Sequence, residues 1–202
     1  FYSTEMDYSF YRREEAVLLA ECTICPRECR VDRFSGRSGY CRSGAGMNIA
    51  SICIHRGEEP PISGPDGICN IFFSGCNLRC VYCQNHEISR QPAGSIQDTY
   101  SYIDAIGSII SILKKGIKAV GFVSPSHVVP QVKAIIRGLH ERGWNPVTVY
   151  NTSCYDKPEV IDSFDGLIDV YLPDLKYFSP QLAGEFSDAS DYPEVAIGAL
   201  KR

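Results

Sequence analysis

Several things are scarce in this 202-residue chain, and each scarcity excludes a class of function. Positive charge is not in excess: 20 Lys and Arg stand against 24 Asp and Glu, the formal charge is −4, and the basic residues are scattered along the chain. No electrostatic footprint for nucleic acid or an anionic membrane follows from that distribution. Long apolar runs are missing as well. The stretch "AIGSIISIL" ends in "KK", well short of the roughly 18 residues that a membrane span needs. The opening "FYSTEMDYSFYRREEA" lacks the layout of a signal peptide, and there is neither a low-complexity tract nor a long-period repeat. The expectation is a cytoplasmic protein with no nucleic acid and no membrane among its partners. The chain opens on Phe1 rather than Met, which leaves room for a lost N-terminal stretch.

Cysteine, by contrast, is abundant, with ten residues. In a cytosolic chain of this length such clusters hold metal more often than they form disulfides. One group is Cys22, Cys25, Cys29 and Cys41; a second is Cys76, Cys80 and Cys83; Cys53, Cys69 and Cys154 stand singly and read as small buried apolar residues.

From residue 69 onward strand and helix patterns alternate. "CNIFFSG" (69–75), "AVGFV" (119–123), "VTVYN" (147–151) and "LIDVYL" (167–172) read as short buried strands. Between them, a helix opening at Asp98 or Thr99 has Ile103, Ile106, Ile110 and Leu113 as its core face and stops at Gly116. Another carries Val129, Val132, Ile136 and Leu139 and ends near Gly143, and Pro158 suits a first helical position. The pattern predicts an α/β fold with a parallel sheet covered on both faces, either a βα barrel or a doubly wound sheet. Residues 1–68 differ: a helix near 9–21 leads into the four-cysteine segment, after which Gly and Pro in "IASICIHRGEEPPISGPDG" crowd out regular structure. Two domains are therefore expected, an N-terminal metal-binding module over 1–68 and a βα core over 69–202. The last residues read as a helix in progress, so the core is expected to be truncated at its C-terminus.

The loop "FSGCNLRCVYCQN" carries three cysteines where a closed site would take four. Thiolates bind soft metals and iron–sulfur clusters, and three ligands on a four-iron cube leave one iron open, much as a catalytic zinc keeps a position free. The alternative is a closed zinc site completed by Cys69 or Cys154.

The order C-x3-C-x2-C after a short strand, with Tyr82 before the last cysteine, resembles the signature of the radical S-adenosylmethionine (SAM) superfamily. "CPREC", "GYC", "HRGEEPPISG", "IFFSGCNLRCVYCQNHEIS", "FVSPSHVVPQ", "VYNTS" and "DVYLPDLKY" look more narrowly like the uncharacterised relatives of pyruvate formate-lyase-activating enzyme. That resemblance implies a partial βα barrel with a small cysteine-rich N-terminal module. It also implies a [4Fe-4S] cluster on Cys76, Cys80 and Cys83, S-adenosyl-L-methionine chelated to the open iron, and Tyr82 beside the adenine. The implied reaction is reductive cleavage of SAM to a 5′-deoxyadenosyl radical that abstracts hydrogen, with glycyl-radical-enzyme activation as one target. A one-electron reductant such as flavodoxin or ferredoxin and a protein substrate would be its partners.

Two departures stand out: "SPSH" occupies the place of a Gly-Gly-Glu motif, and four βα units are counted where the relatives have six. Ser124, Ser126 or His127 would take over the polar contact to the cofactor; alternatively Ser126 is a helix N-cap with His127 in the first turn. Asn151, Thr152, Asp174 and Lys176 follow strands three and four, where barrel enzymes place their chemistry; Asp174 and Lys176 read alternatively as a surface pair. Cys22, Cys25, Cys29 and Cys41 make a second metal site, zinc or iron–sulfur. His55, Arg56, Glu58 and Glu59 form an acidic turn without an assigned role, and Arg27, Arg30, Arg33 and Arg37 read as surface charges. The competing function is an iron–sulfur or zinc module, for metal binding or electron transfer, without catalytic turnover.

Overall fold

The computed structural model describes residues 7–90 and 100–202. The short apolar runs become five strands, β1 (Ile49–His55), β2 (Ile68–Phe73), β3 (Ala119–Val123), β4 (Val147–Thr152) and β5 (Val170–Pro173), lying side by side in that order. The helices are α1 (Arg13–Ala20), α2 (Pro60–Ser63), α3 (His86–Ser89), α4 (Tyr102–Leu113), α5 (Val129–His140), α6 (Pro158–Asp162), α7 (Pro180–Ser187) and α8 (Tyr192–Leu200). Strands β2 to β5 are parallel, and β1 runs antiparallel to β2 at one edge. Sequential order without reversal contains no switch point, which removes the doubly wound alternative among the described residues. No described helix is long and apolar enough to cross a membrane.

Alternation along the strands sorts side chains between two faces. Ile71, Phe122 and Tyr150 align in register and join Ile106, Ile109, Val132 and Ile136 in the main core under α4 and α5. On the opposite face Asn70 pairs with Gly121, and a Cβ at Gly121 would lie 2.1 Å from Asn70 Oδ1, so only glycine admits that amide. Ile68, Ala119 and Val149 form a smaller apolar cluster on this face.

Four expectations need correction. Ile103 is 72% exposed, and the buried face of α4 is Ala105, Ile106, Ile109 and Leu113. The helix is phased by Ser101, whose hydroxyl accepts the Asp104 amide, and it turns its stripe toward β1, β2 and α5; the expected start at Asp98 or Thr99 falls outside the described residues. The run "LIDVYL" is strand only from Val170; at Asp169 the side-chain carboxylate takes the Thr148 amide and hydroxyl, while the Asp169 amide still donates to the Thr148 carbonyl. Regular structure is not crowded out of 49–67: Ile52 and Ile54 alternate with Ser51 and Cys53 along β1 and pack on the core. Finally, Arg33 is 2% exposed and Arg27 is partly covered, so neither is a simple surface charge.

Among the described residues the cysteine-rich N-terminal segment has no apolar cluster of its own. Cys22, Ile24, Ala45 and Met47 sit in the main apolar cluster, and Cys22 is held in a turn by its amide on the Val31 carbonyl and its carbonyl under the Arg30 amide.

Candidate functional site

The loop carrying Cys76, Cys80 and Cys83 leaves the C-terminal end of β2 through Ser74 and Gly75. Gly75 has φ +81°, and a Cβ there would meet the Cys41 carbonyl at 2.2 Å and Ser43 Oγ at 2.8 Å. Glycine is thus required twice, for the left-handed backbone and for the close approach of the N-terminal segment.

Two walls hold the loop. On one side the N-terminal segment supplies Tyr40, whose ring lies under the guanidinium of Arg79 (4.4 Å) and of Arg27 (3.9 Å), while Arg27 Nε donates to the Asn77 carbonyl at 3.0 Å. On the other side the end of α7 pairs with the loop backbone: Arg79 N–H donates to Ser187 O (3.1 Å) and Val81 N–H to Phe186 O (2.8 Å).

Each of the three sulfurs has at least one hydrogen-bonding group beside it, and Cys76 Sγ also lies 3.9 Å from Asn77 Oδ1. The Leu78 amide donates to Cys76 Sγ at 3.4 Å, the Ser187 hydroxyl donates to Cys80 Sγ at 2.9 Å, and Ser89 Oγ lies 3.4 Å from Cys83 Sγ. Burial pushes the Cys76 thiol up to about 11, so a bound metal would supply the charge that ionises it.

Among the described residues no three His, Cys, Asp or Glu side chains are grouped to hold a metal ion. Thiolates sharing one zinc at 2.3 Å must stand about 3.8 Å apart by tetrahedral geometry. Those of a cube each bind a different iron and stand further apart. Three soft sulfurs, each beside a hydrogen-bonding group, fit such a cluster. Of the two cysteines considered for a closed site, Cys69 lies in the main core, whereas Cys154 belongs to the apolar cluster against which Cys76 and Cys80 pack. Burial, with Asp156 and Asp174 nearby, pushes the Cys154 thiol up to about 11.

The polar residues expected at the strand ends divide into two sets. Ser126 and Thr152 are buried and adjacent (Oγ to Oγ1, 3.3 Å), and Ser124, at φ +49°, donates its amide to the Asn151 carbonyl at 2.8 Å. The helix-cap alternative for Ser126 does not hold, because α5 starts at Val129 behind Val128 and no side chain caps it. His127 precedes the helix and is fully buried, with Nε2 3.0 Å from the Ser74 carbonyl; burial lowers its pKa to about 4. Asp174 is an exposed partner of Lys176 at 3.1 Å, the surface pair of the alternative reading. Tyr82 is 53% exposed, its hydroxyl 2.6 Å from that of Tyr177.

Asp156 was not anticipated. It is 1% exposed, accepts hydrogen bonds from the Tyr150 (3.0 Å) and Thr152 hydroxyls, and has its pKa raised by burial. It follows Thr152 by four residues beyond a strand end, a weak signal available in the sequence. A cavity of about 490 Å³ lined by Thr152, Cys154, Asp156, Tyr171 and Pro173 opens beside it; the cysteine loop does not line that cavity.

Cys22, Cys25 and Cys41 are buried around the Arg33 guanidinium, which donates to Cys41 Sγ at 3.4 Å and to the His127 carbonyl at 2.8 Å. Burial pushes the Cys25 thiol up to about 12. Cys29 stands differently, taking the Tyr40 amide at 3.3 Å beside Gly39. The acidic turn flanks the opposite end of β2 from the cysteine loop, with His55 paired to Ile68 and Glu58 accepting the Asn70 amide at 3.0 Å.

No protein-family model matches the chain. It is similar to an uncharacterized protein of Methanocaldococcus jannaschii, 27% identical over 181 residues that cover 88% of this chain and 52% of the relative. A protein named 7-carboxy-7-deazaguanine synthase from Methanopyrus kandleri is 25% identical over 83% of the chain and 69% of its own length. One of the same name from Rhodopirellula baltica is 25% identical over 76% and 52%. The chain thus spans about half the length of the first of these relatives.

Proposed function

We propose that this chain is the core of a radical SAM enzyme, with a [4Fe-4S] cluster on Cys76, Cys80 and Cys83. The observation that carries the reading is the loop itself: three cysteines at the C-terminal end of the first parallel strand, each sulfur with its own hydrogen-bonding partner. Distant similarity to proteins named 7-carboxy-7-deazaguanine synthase, a radical SAM enzyme, supports the same superfamily. When bound, the cluster supplies one electron to S-adenosylmethionine and so yields the 5′-deoxyadenosyl radical.

The chain's own residues bind, orient and enclose. Arg79 and Arg27, stacked on Tyr40, hold the loop against the N-terminal segment, and Ser187 and Phe186 hold it from α7. Ser126 and Thr152, buried side by side, would with Asn151 meet the amino acid part of the cofactor, and the half-exposed Tyr82 would cover the adenine. Asp174 and Lys176 contribute from the rim, and a flavodoxin or ferredoxin would deliver the electron.

Hydrogen abstraction from a carbon centre is the reaction class. The resemblance to activating enzymes favours a protein glycine as the hydrogen donor; the name shared by two relatives favours a small heterocycle. Cys22, Cys25 and Cys41, buried around Arg33, would with Cys29 supply the ligands of a second metal site, zinc or iron–sulfur.

Anaerobic reconstitution, reduction with dithionite and addition of S-adenosylmethionine should release 5′-deoxyadenosine, and Cys80→Ala should abolish it. Iron bound without any cleavage product would favour the electron-transfer module. Absence of iron at this loop would remove the enzyme reading and leave the module only its zinc-binding form.

A further inference from the structure

We infer that Ser187 is a positioning residue that sets the reduction potential of the iron–sulfur group at Cys80, as the inner end of a hydroxyl chain running through Tyr177 to Tyr82. The inference rests on the cluster assignment above and adds to it a determinant 107 residues downstream of the ligand.

The geometry has three links. Ser187 Oγ lies 2.9 Å from Cys80 Sγ, Tyr177 Oη lies 2.8 Å from Ser187 Oγ, and Tyr82 Oη lies 2.6 Å from Tyr177 Oη. Ser187 is fully buried and Tyr177 is 9% exposed, while Tyr82 reaches solvent. A metal-bound thiolate has no proton and can only accept. Ser187 must therefore give its single proton to the sulfur, so its oxygen can only accept; the Tyr177 hydroxyl, which donates to Tyr82 in the structure, would turn its proton to the Ser187 oxygen and accept from Tyr82 once the cluster is bound. The three hydroxyl dipoles then point the same way, toward Cys80, and each bond polarises the next.

Reduction adds one electron to the cluster and spreads negative charge onto its sulfurs, so a donor at the sulfur stabilises the reduced form more than the oxidised one. Cys76 takes a backbone amide and the Cys83 contact is longer, at 3.4 Å, so Ser187 is the side chain with the strongest hold on the couple. No bond forms or breaks, and the electron comes from an external one-electron donor.

The test is an EPR-monitored redox titration, with dithionite, of the anaerobically reconstituted full chain and its variants, alongside iron analysis. Ser187→Ala should lower the midpoint potential by the equivalent of about a tenfold shift toward the oxidised cluster, or 59 mV for one electron. Tyr177→Phe should move it the same way by less, and Ser187→Thr, which keeps the hydroxyl, should titrate like the parent. Ser187→Ala that loads the same iron and titrates with the parent overturns the inference while leaving the cluster in place. Should Ser187→Ala lose iron, Tyr177→Phe decides alone, and an unmoved potential there overturns the inference. A parent chain that binds no iron at this loop sinks the cluster reading itself.

Discussion

His127 shows how one side chain can tie two segments together and record pH. Its ring is fully buried with Nε2 at the Ser74 carbonyl, and its own carbonyl accepts from Arg33. Burial lowers its pKa from 6.5 to about 4. Between those values the unfolded chain binds a proton that the folded chain does not, so stability rises with pH across the window and is lost as pH falls below 6.5. At about 1.4 kcal/mol per unit, the loss between pH 6.5 and pH 5 is about 2 kcal/mol. Urea denaturation at the two values should show it, and His127→Gln should flatten the difference; an equal pH dependence in both proteins would refute the assignment. Cys154 offers a second check at this scale. Although it packs in the same cluster as Cys76 and Cys80, the open-corner reading expects Cys154→Ala to keep its full iron content, whereas a closed cage would lose it.

At single positions the sequence was legible where chemistry dictates spacing. Cys76, Cys80 and Cys83 announce themselves within eight residues, while Ser187, Ser89 and Asp156 do not, because what makes them matter is a distance that only the fold creates. Arg33 was misread for the same reason. A lone arginine in a polar stretch looks solvated, and only the packing of Cys22 and Cys41 against its guanidinium shows that it is enclosed.

Elements were read best where apolar runs are short and bounded. Ala119–Val123 was expected residue for residue, and Pro158 opens α6. The strand Ile49–His55 was missed because Gly and Pro in the following turn outweighed the alternation of Ile52 and Ile54. One tie between elements lies wholly outside sequence reasoning: Glu15 of α1, 3% exposed, accepts two bonds at 2.8 Å from Arg137 of α5. Removing one member of such a pair leaves the other enclosed without its counter-charge, so Glu15→Ala should cost about 3 kcal/mol in chemical denaturation. Gly75→Ala should cost about 2 kcal/mol or more, because a Cβ meets both the left-handed backbone and the Cys41 carbonyl. Unchanged stability would mean that the N-terminal segment does not press on the loop.

Across the whole molecule, the segments before β1 and after β5 do more than flank the sheet. The N-terminal cysteines share the main core, and Arg27, Arg79 and Tyr40 bind that segment to the loop, so the amides of Arg79 and Val81 should exchange hydrogen as slowly as the interior of α7. Rapid exchange at those two amides would show that the loop opens independently of its walls.

The pairing of that loop with α7 also bears on how the protein is made. A ribosome adding about 5–20 residues per second needs roughly 5–20 seconds to travel from Cys80 to Ser187. Throughout that interval the nascent thiols stand without their far wall, so on the cluster reading iron loading would follow synthesis of α7.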